Sequence, residues 1–168
     1  MIDKNNYAIF KYEGVIRRAI ISLKYKFATD IANELVDCCV NRLASNFHLL
    51  NSILVPIPLH KHRENWRGFN QTEIIGEKLA KKMNWKYIPD LLIRTKESKP
   101  QVGLKGIDRR KNLSGVFSGN PKYCSPFTDH GSLILFDDVY TTGSTINEAS
   151  KILQKSGFKN IKSLTISF

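Results

Sequence analysis

Apolar residues recur along the chain with two different spacings, and the order in which these spacings alternate predicts the fold. Steps of three and four residues predict helices over residues 14–27, 30–47, 72–83 and 144–156. Continuous apolar runs predict buried strands over residues 52–58, 132–136 and 161–168, and two or three shorter strands around a polar loop between residues 87 and 117. This alternation predicts an α/β fold with a mostly parallel sheet flanked by helices.

Length and charge narrow the class of protein and of ligand. The 168 residues correspond to a single domain, residues 1–168. The chain carries 26 Lys and Arg residues against 15 Asp and Glu residues, and the net charge of +11 favours anionic partners. Nucleotides, sugar phosphates, nucleic acids and acidic proteins all fit this charge. Whether the chain forms a homodimer stays open.

Cysteine usage and hydrophobicity indicate a reducing, aqueous environment. The three cysteines include no CxxC pair, which argues against a disulfide scaffold and against a four-ligand zinc module. Cys39 lies on the apolar stripe of the second predicted helix, so we expect a buried thiol. No apolar run approaches the ~18 residues of a membrane span, and the first residues lack the order of a signal peptide. These features predict a soluble, cytoplasmic protein.

One segment, LILFDDVYTTGST at residues 133–145, carries the pattern of a ligand site. Asp137 and Asp138 stand at the carboxyl end of a predicted strand, where ligands of open α/β sheets bind. The turn that follows opens a helix, so its unpaired backbone amides and the helix dipole favour a phosphate group. Gly143 lets the backbone approach that group closely.

Two carboxylates beside a phosphate site repel the ligand unless they bind another part of it. The vicinal hydroxyls of a ribose suit them, because each can donate a hydrogen bond to a charged acceptor. A divalent cation shared with a diphosphate suits them as well. The pattern therefore predicts a ribose 5-phosphate group. A structural alternative stays open for parts of the pattern, because Thr145 and Glu148 fit a capping box and paired acids are often only solvated.

The same segment resembles the phosphoribosyl-pyrophosphate (PRPP) signature of type I phosphoribosyltransferases. This resemblance implies that Asp137 and Asp138 bind the ribose hydroxyls. It implies a 5-phosphate site formed by Thr141, Thr142, Gly143, Ser144 and Thr145. It further implies a glycosyltransferase reaction on PRPP with Mg²⁺, in which the catalytic roles fall to Asp138 and Arg109.

Three further segments resemble the ComF family of competence-associated phosphoribosyltransferase-like proteins. They are YEGVIRRAIISLKY at residues 12–25, VPIPLHKHRENWRGFNQTEIIGEKLA at residues 55–80 and QVGLKGIDRRKNLSGVF at residues 101–117. Family members often begin with a cysteine-rich zinc module, which we expect this chain to lack. The resemblance implies the type I phosphoribosyltransferase fold, with a small hood built from residues 1–30 and part of residues 86–118.

The resemblance also assigns two basic segments. A loop that holds the pyrophosphate would contain Leu59, His60, Lys61 and Arg63. A flexible loop that closes over PRPP would contain Gln101, Arg109, Arg110 and Asn112. A guanidinium that arrives with this loop stabilises the charge of departing pyrophosphate. The alternatives are solvated basic loops or, for the second segment, a nucleic-acid patch. We expect no zinc site from His60 and His62.

Two groups of residues that follow the first of these segments in sequence fit more than one role. Asn70 fits an N-cap, while Arg67 and Gln71 fit either ligand contacts or a structural role. For the aromatic residues near basic side chains we expect core positions, with stacking on nucleic-acid bases as the alternative. These aromatic residues are Trp66, Phe69 and Trp85.

The implied function is that of a PRPP-binding phosphoribosyltransferase-like protein associated with DNA uptake and natural transformation, with an acceptor that the sequence does not name. The alternative is a non-catalytic module that senses PRPP or a nucleotide, or that binds single-stranded DNA, beside a competence ATPase or another DNA-processing protein. A Rossmann dehydrogenase and a P-loop NTPase are disfavoured, because neither GxGxxG nor GxxxxGK[ST] is present.

Overall fold

The computed structural model of the chain describes residues 5–25, 30–44, 51–61, 65–66, 68–96, 115–123 and 132–168. The strands in these ranges are β1 (Asn6–Phe10), β2 (Ile53–Pro56), β3 (Lys86–Tyr87), β4 (Leu92–Arg94), β5 (Phe117–Gly119), β6 (Leu133–Val139) and β7 (Ile161–Ser167). The principal helices are α1 (Gly14–Tyr25), α2 (Ile31–Ala44), α3 (Gln71–Met83) and α4 (Ser144–Lys155). A 3₁₀ turn, Pro121–Tyr123, follows β5.

Five of the strands form a parallel sheet in the order β1-β7-β6-β2-β3. β4 and β5 form a separate antiparallel pair. Because the five strands run in the same direction, their carboxyl ends share one edge, and the segments that follow β2 and β6 are neighbours there. The predicted α/β class with a mostly parallel sheet flanked by helices, which the resemblance to type I phosphoribosyltransferases also implied, is confirmed.

Side chains of the central strands alternate between two cores, one on each face of the sheet. On one face, Leu54, Ile134 and Phe136 pack against α1, α2 and α3. On the other face, Val55 and Leu135 pack against α4 and the β4–β5 pair. Both faces of β2 and β6 are therefore covered, which explains why these strands are apolar at nearly every position.

The helices lie within a few residues of their predicted positions. The apolar stripe of α2 is buried, and burial raises the pKa of the Cys39 thiol to about 12, which keeps this thiol unreactive near neutral pH.

Trp85 is buried as expected. The core position expected for Trp66 is wrong, because 69% of its surface is exposed on the connection between β2 and α3. No helix within the described ranges combines the length and the hydrophobicity of a membrane span.

Two strands, β1 and β6, differ from the sequence-based prediction. The pattern predicts no strand at β1, yet β1 pairs with β7 at the edge of the sheet. β6 continues through Asp137 and Asp138 to Val139, beyond its predicted end, because β7 stays paired with it.

The helix α1 packs on the core that contains Leu54, Ile134 and Phe136. The division of the chain into a core and a hood stays a prediction.

Gly76 marks the close contact between α3 and the sheet. A Cβ atom there would lie 3.1 Å from Leu54 Cδ2 and 3.2 Å from Phe136 Cδ1. We expect Gly76→Val to lower the free energy of unfolding by about 1–3 kcal/mol, because the branched side chain overpacks this contact. Chemical denaturation measures the loss. The control Glu77→Val, at the exposed neighbouring position, should cost about 0.5 kcal/mol. Equal losses would contradict the overpacking argument.

Candidate functional site

The two acids of the predicted site point to opposite faces of the sheet, because they are neighbours in a strand. Asp137 shares the face of Leu135 and lines a small cavity together with the turn that follows β6. Asp138 shares the face of Phe136 and is 6% exposed. The structure therefore brings Asp137 together with the predicted phosphate turn and places Asp138 in a separate environment at the same edge.

Asp138 is held by side chains from two helices. Lys24 Nζ of α1 lies 2.7 Å from Asp138 Oδ2, and Gln71 Nε2 of α3 donates to the same oxygen at 2.8 Å. Burial would lower the pKa of Lys24, but the Asp138 carboxylate outweighs that effect and raises it. The ammonium group therefore stays charged, and Asp138 is an ion-paired hydrogen-bond acceptor.

The start of α3 supports this arrangement. Asn70 is the N-cap of the helix, as predicted, and its side chain accepts the Thr72 N–H at 3.0 Å. The Asn70 side chain also donates to the Ile57 carbonyl at 3.2 Å, which ties the helix start to the segment after β2. These bonds fix the position of Gln71, whose role the sequence left undecided. The Gln71 side chain contacts Asp138.

Asp137 has the opposite electrostatic character. Its Oδ1 accepts the backbone N–H of Asp138 at 2.8 Å. Desolvation and the negative charge of Asp138 raise the pKa of Asp137 to about 7, although this hydrogen bond and the charges of Lys24 and Arg94 lower it in part. The two carboxyl groups thus differ in their partners and in their protonation. Asp137 keeps its proton up to about pH 7, whereas Asp138 is paired with the Lys24 ammonium group.

The turn after β6 presents an uncapped helix start. Gly143 is the N-cap of α4 and supplies no side-chain hydrogen bond. The capping-box alternative is wrong, because Glu148 Oε1 accepts the backbone N–H of Gly115 at 2.8 Å instead. Thr142 Oγ1 lies 2.7 Å from Ser144 Oγ and a long 3.4 Å from the Ser144 N–H. The turn therefore offers amides and hydroxyls to an anion.

Glycine is required at position 143 for two reasons. Its φ of +70° lies in the left-handed region, which other residues adopt with strain. A Cβ atom there would lie 2.4 Å from Tyr140 Oη. Tyr140 is itself anchored, because its N–H donates to the Ser167 carbonyl at 2.8 Å. The backbone of the turn therefore takes a shape that a side chain at position 143 would prevent.

The segment after β2 reaches the same edge of the sheet. The Ile57 N–H donates to the Phe136 carbonyl at 2.8 Å, which extends the pairing of β2 with β6 to the start of this segment. Leu59 and His60 are partly buried, and Lys61 is exposed. The remaining predicted site residues lie outside the described part of the chain; they are Arg63, Gln101, Arg109, Arg110 and Asn112.

Sequence reasoning did not single out Lys24, and it counted Arg94 only within a basic run. Lys24 lies four residues after the buried Ile20, so it sits on the apolar side of α1, and this spacing was a usable signal. The Arg94 guanidinium lies 5.5 Å from the centroid of the Phe117 ring. Both cations act on the acid pair from elements distant in sequence.

The described residues do not build a resident magnesium site. Within the described ranges, no group of three or more His, Cys, Asp and Glu side chains is placed to hold a metal ion. Asp137 and Asp138 face different ways, and Asp138 already has an ammonium partner. Mg²⁺ usually keeps several waters and takes one or two carboxylates together with substrate phosphates, so the described side chains alone form no closed cage for it.

Comparison with known proteins extends the motif evidence, although no family model matches the chain. Competence protein F from Haemophilus influenzae is 36% identical over 114 residues, which cover 67% of this chain and 48% of that protein. Competence protein ComFC from Bacillus subtilis is 26% identical over 167 residues, which cover 99% of this chain and 65% of that protein. The chain belongs to the ComF family.

Other relatives of this ComF-family chain carry a different name. DNA utilization protein YhgH from Escherichia coli K12 is 29% identical over 151 residues, which cover 87% of this chain and 64% of that protein. The ComF-family chain thus spans 48% to 65% of the length of these curated relatives. An adenine phosphoribosyltransferase structure from Leishmania donovani aligns with 98% of the chain and 72% of its own, with a TM-score of 0.49 and 14% identity.

The raised pKa of Asp137 predicts a pH-dependent stability. Between its ordinary value of 3.8 and about 7, the folded protein holds a proton that the unfolded chain releases, so this stabilisation is lost as the pH rises through about 7. As the pH rises from about 5 to about 8, we expect the free energy of unfolding of the unsubstituted protein to fall relative to that of Asp137→Asn, because asparagine does not titrate. Denaturation at both pH values measures this change.

The exposed carboxylate of Asp37 provides the control for this measurement. Denaturation of Asp37→Asn at the same two pH values is the reference for the loss of a surface carboxylate. A pH dependence of Asp137→Asn that matches the unsubstituted protein would contradict the assignment.

Proposed function

We propose that the carboxyl edge of the sheet binds PRPP and that this ComF-family protein is a phosphoribosyltransferase-like protein. The observation that carries the proposal is the cavity shared by Asp137 and the uncapped turn at the start of α4. An acid beside a helix start that has no N-cap side chain suits a ligand with a hydroxylated sugar and a phosphate. A ribose 5-phosphate group has both.

The 5-phosphate is assigned to the turn that runs from Thr141 to Thr145. The backbone there is shaped by Gly143, and the first amides of α4 have no N-cap side chain as a partner. The helix dipole and the donor groups together favour a dianion. The hydroxyls of Thr142 and Ser144, already 2.7 Å apart, supply further donors.

The ribose hydroxyls are assigned to Asp137 and Asp138. Asp137 faces the cavity, which supports a direct contact. Asp138 uses Oδ2 for Lys24 and Gln71, so its Oδ1 is the acceptor assigned to the ligand. Hydrogen bonds from hydroxyls to charged carboxylates are short and strong.

The pyrophosphate is assigned to the segment after β2, where Leu59, His60 and Lys61 follow a strand that is paired with β6. Arg63 and the flexible-loop residues Gln101, Arg109, Arg110 and Asn112 join this assignment through the family resemblance alone. Mg²⁺ is assigned to the substrate, where the pyrophosphate would bind it.

The reaction that such a site supports is pentosyl transfer. A nitrogen nucleophile forms a bond to C1 as the bond from C1 to pyrophosphate breaks, through an oxocarbenium-like transition state. The protein contributes position and charge: Asp138 holds the sugar, and Arg109 stabilises the departing pyrophosphate. The site does not identify the acceptor.

The names of the relatives support a role in competence or DNA utilization. The free thiols of Cys38 and Cys39 support a cytoplasmic location.

Calorimetry with Mg²⁺ and PRPP tests the site. At about pH 9, above the pKa of about 7 of Asp137, we expect Asp137→Asn and Asp138→Asn each to weaken binding at least about tenfold, because each removes a charged acceptor of a hydroxyl hydrogen bond. The control Asp37→Asn, an equal loss of charge on α2, should leave the affinity unchanged. Affinities that do not differ among the unsubstituted protein and the two site variants would eliminate the assignment.

Pyrophosphate release over a panel of bases and nucleosides then separates a transferase from a sensing module. Release with one acceptor supports the transferase. Binding of PRPP without release from any acceptor supports the module.

A second candidate function, single-stranded DNA binding, has one specific observation in its favour. Trp66 is exposed over 69% of its surface on a chain with a net charge of +11. Exposed aromatic rings beside basic groups stack on unpaired bases, and the cationic surface attracts the phosphate backbone. The connection between β2 and α3 is the place where such a strand would meet the protein.

Fluorescence titration with a single-stranded oligonucleotide tests this candidate. We expect affinity to fall steeply as salt rises, and Trp66→Ala to weaken binding by about 1–3 kcal/mol because one stacked base is lost. Trp66→Phe keeps a ring and should retain most of the affinity. Equal binding by Trp66→Ala and Trp66→Phe would remove this residue from the DNA surface.

A further inference from the structure

We propose that Lys24 is the positioning residue of the ribose site: its ammonium group takes the place of a metal ion at Asp138, so that a ribose 5-phosphate group binds without Mg²⁺. This inference rests on the proposed function. It goes beyond that function because it divides the site into a metal-dependent pyrophosphate part and a metal-independent sugar phosphate part.

The geometry around Asp138 supports this role. The Lys24 ammonium lies 2.7 Å from Oδ2, and the Gln71 amide donates to the same atom at 2.8 Å from a different helix. The Asp138 side chain is 9% exposed and that of Lys24 is 20% exposed, so little water competes for either charge. Two donors on one oxygen fix the carboxylate plane, and Oδ1 is the oxygen that the proposed function assigns to the ligand.

The charge balance requires a cation at this point. Asp138 lies beside a second carboxyl group, Asp137, and two carboxylates at one strand end disfavour each other's ionised form. Lys24 is the cation in direct contact with Asp138, and Gln71 is neutral. Within the described residues, the other charged or titratable groups that act on this cluster are Tyr12, near Lys24, and Arg94, near Asp137.

Removal of the ammonium group alone would therefore change the protonation of the acid pair. The charge of Lys24 lowers the pKa of Asp137 in part, so the pKa of Asp137 would rise further without it. A neutral carboxyl group is a weaker acceptor for a sugar hydroxyl than a charged one. The loss of affinity in such a variant should then shrink as the pH rises, because alkaline solution restores the carboxylate.

Calorimetry with ribose 5-phosphate in the presence of EDTA tests the inference. Measurements run from about pH 7 to about pH 9, above the second phosphate pKa of about 6, so the ligand charge stays constant. We expect the unsubstituted protein to bind with an affinity constant within about twofold over this range, and Lys24→Met to bind at least about tenfold more weakly at the lower pH. At least about threefold of that loss should be regained at the higher pH.

Two further variants separate charge from packing. Lys24→Arg keeps the charge and should keep the flat pH profile. Lys82→Met is the matched control, since it is the same substitution in an exposed ion pair with Asp37, and its affinity should equal that of the unsubstituted protein. Thermal unfolding of each variant reports folding. If Lys24→Met does not fold, Lys24→Gln replaces it with the same expected pH profile.

The outcomes distinguish the two proposals. An unsubstituted protein that binds neither ribose 5-phosphate nor PRPP overturns the proposed function and this inference together. Binding of ribose 5-phosphate that requires Mg²⁺ overturns the inference alone. Binding by Lys24→Met that is unchanged, or equally weak at every pH, also overturns the inference alone, because the lysine then has no effect on the site or only a packing effect.

Discussion

The hydrogen-bonded pairing of β6 on both sides is the constraint on which the site depends. Because β7 stays paired with β6 as far as Val139, the two acids keep the geometry of a strand and diverge to opposite faces. One acid meets a cation and an amide from α1 and α3, and the other meets the turn before α4. A strand that ended at Phe136 would leave both carboxyl groups without these environments.

Much of the architecture follows from local signals. The apolar runs of β2 and β6 identify strands with two covered faces, and the spacing of Ile16, Ile20 and Leu23 identifies the buried side of α1. Asn70 has the chemistry of an N-cap and takes that role. The turn at Gly143 was recognisable because an acid pair, a glycine and four serine and threonine residues lie within nine positions of the sequence.

The remaining features depend on contacts between distant parts of the chain. Gln71 and Asp138 are 67 residues apart, so no local sequence pattern predicts their hydrogen bond. Glu148 fits a capping box by spacing, but a backbone amide 33 residues away takes its carboxylate instead. β1 escapes prediction for a similar reason, since a five-residue edge strand is defined by its partner, β7, more than by its own half-buried residues.

The parallel alignment of β1 with β7 has a practical consequence for attachment. Asn6 lies level with Ser163, at the amino edge of the sheet, whereas Phe168 follows the carboxyl end of β7 and is 53% exposed. A tag, tether or fusion partner joined ahead of residue 6 would leave the molecule on the side away from the turn that follows β6. The same addition after Phe168 would leave the molecule at the edge where that turn lies.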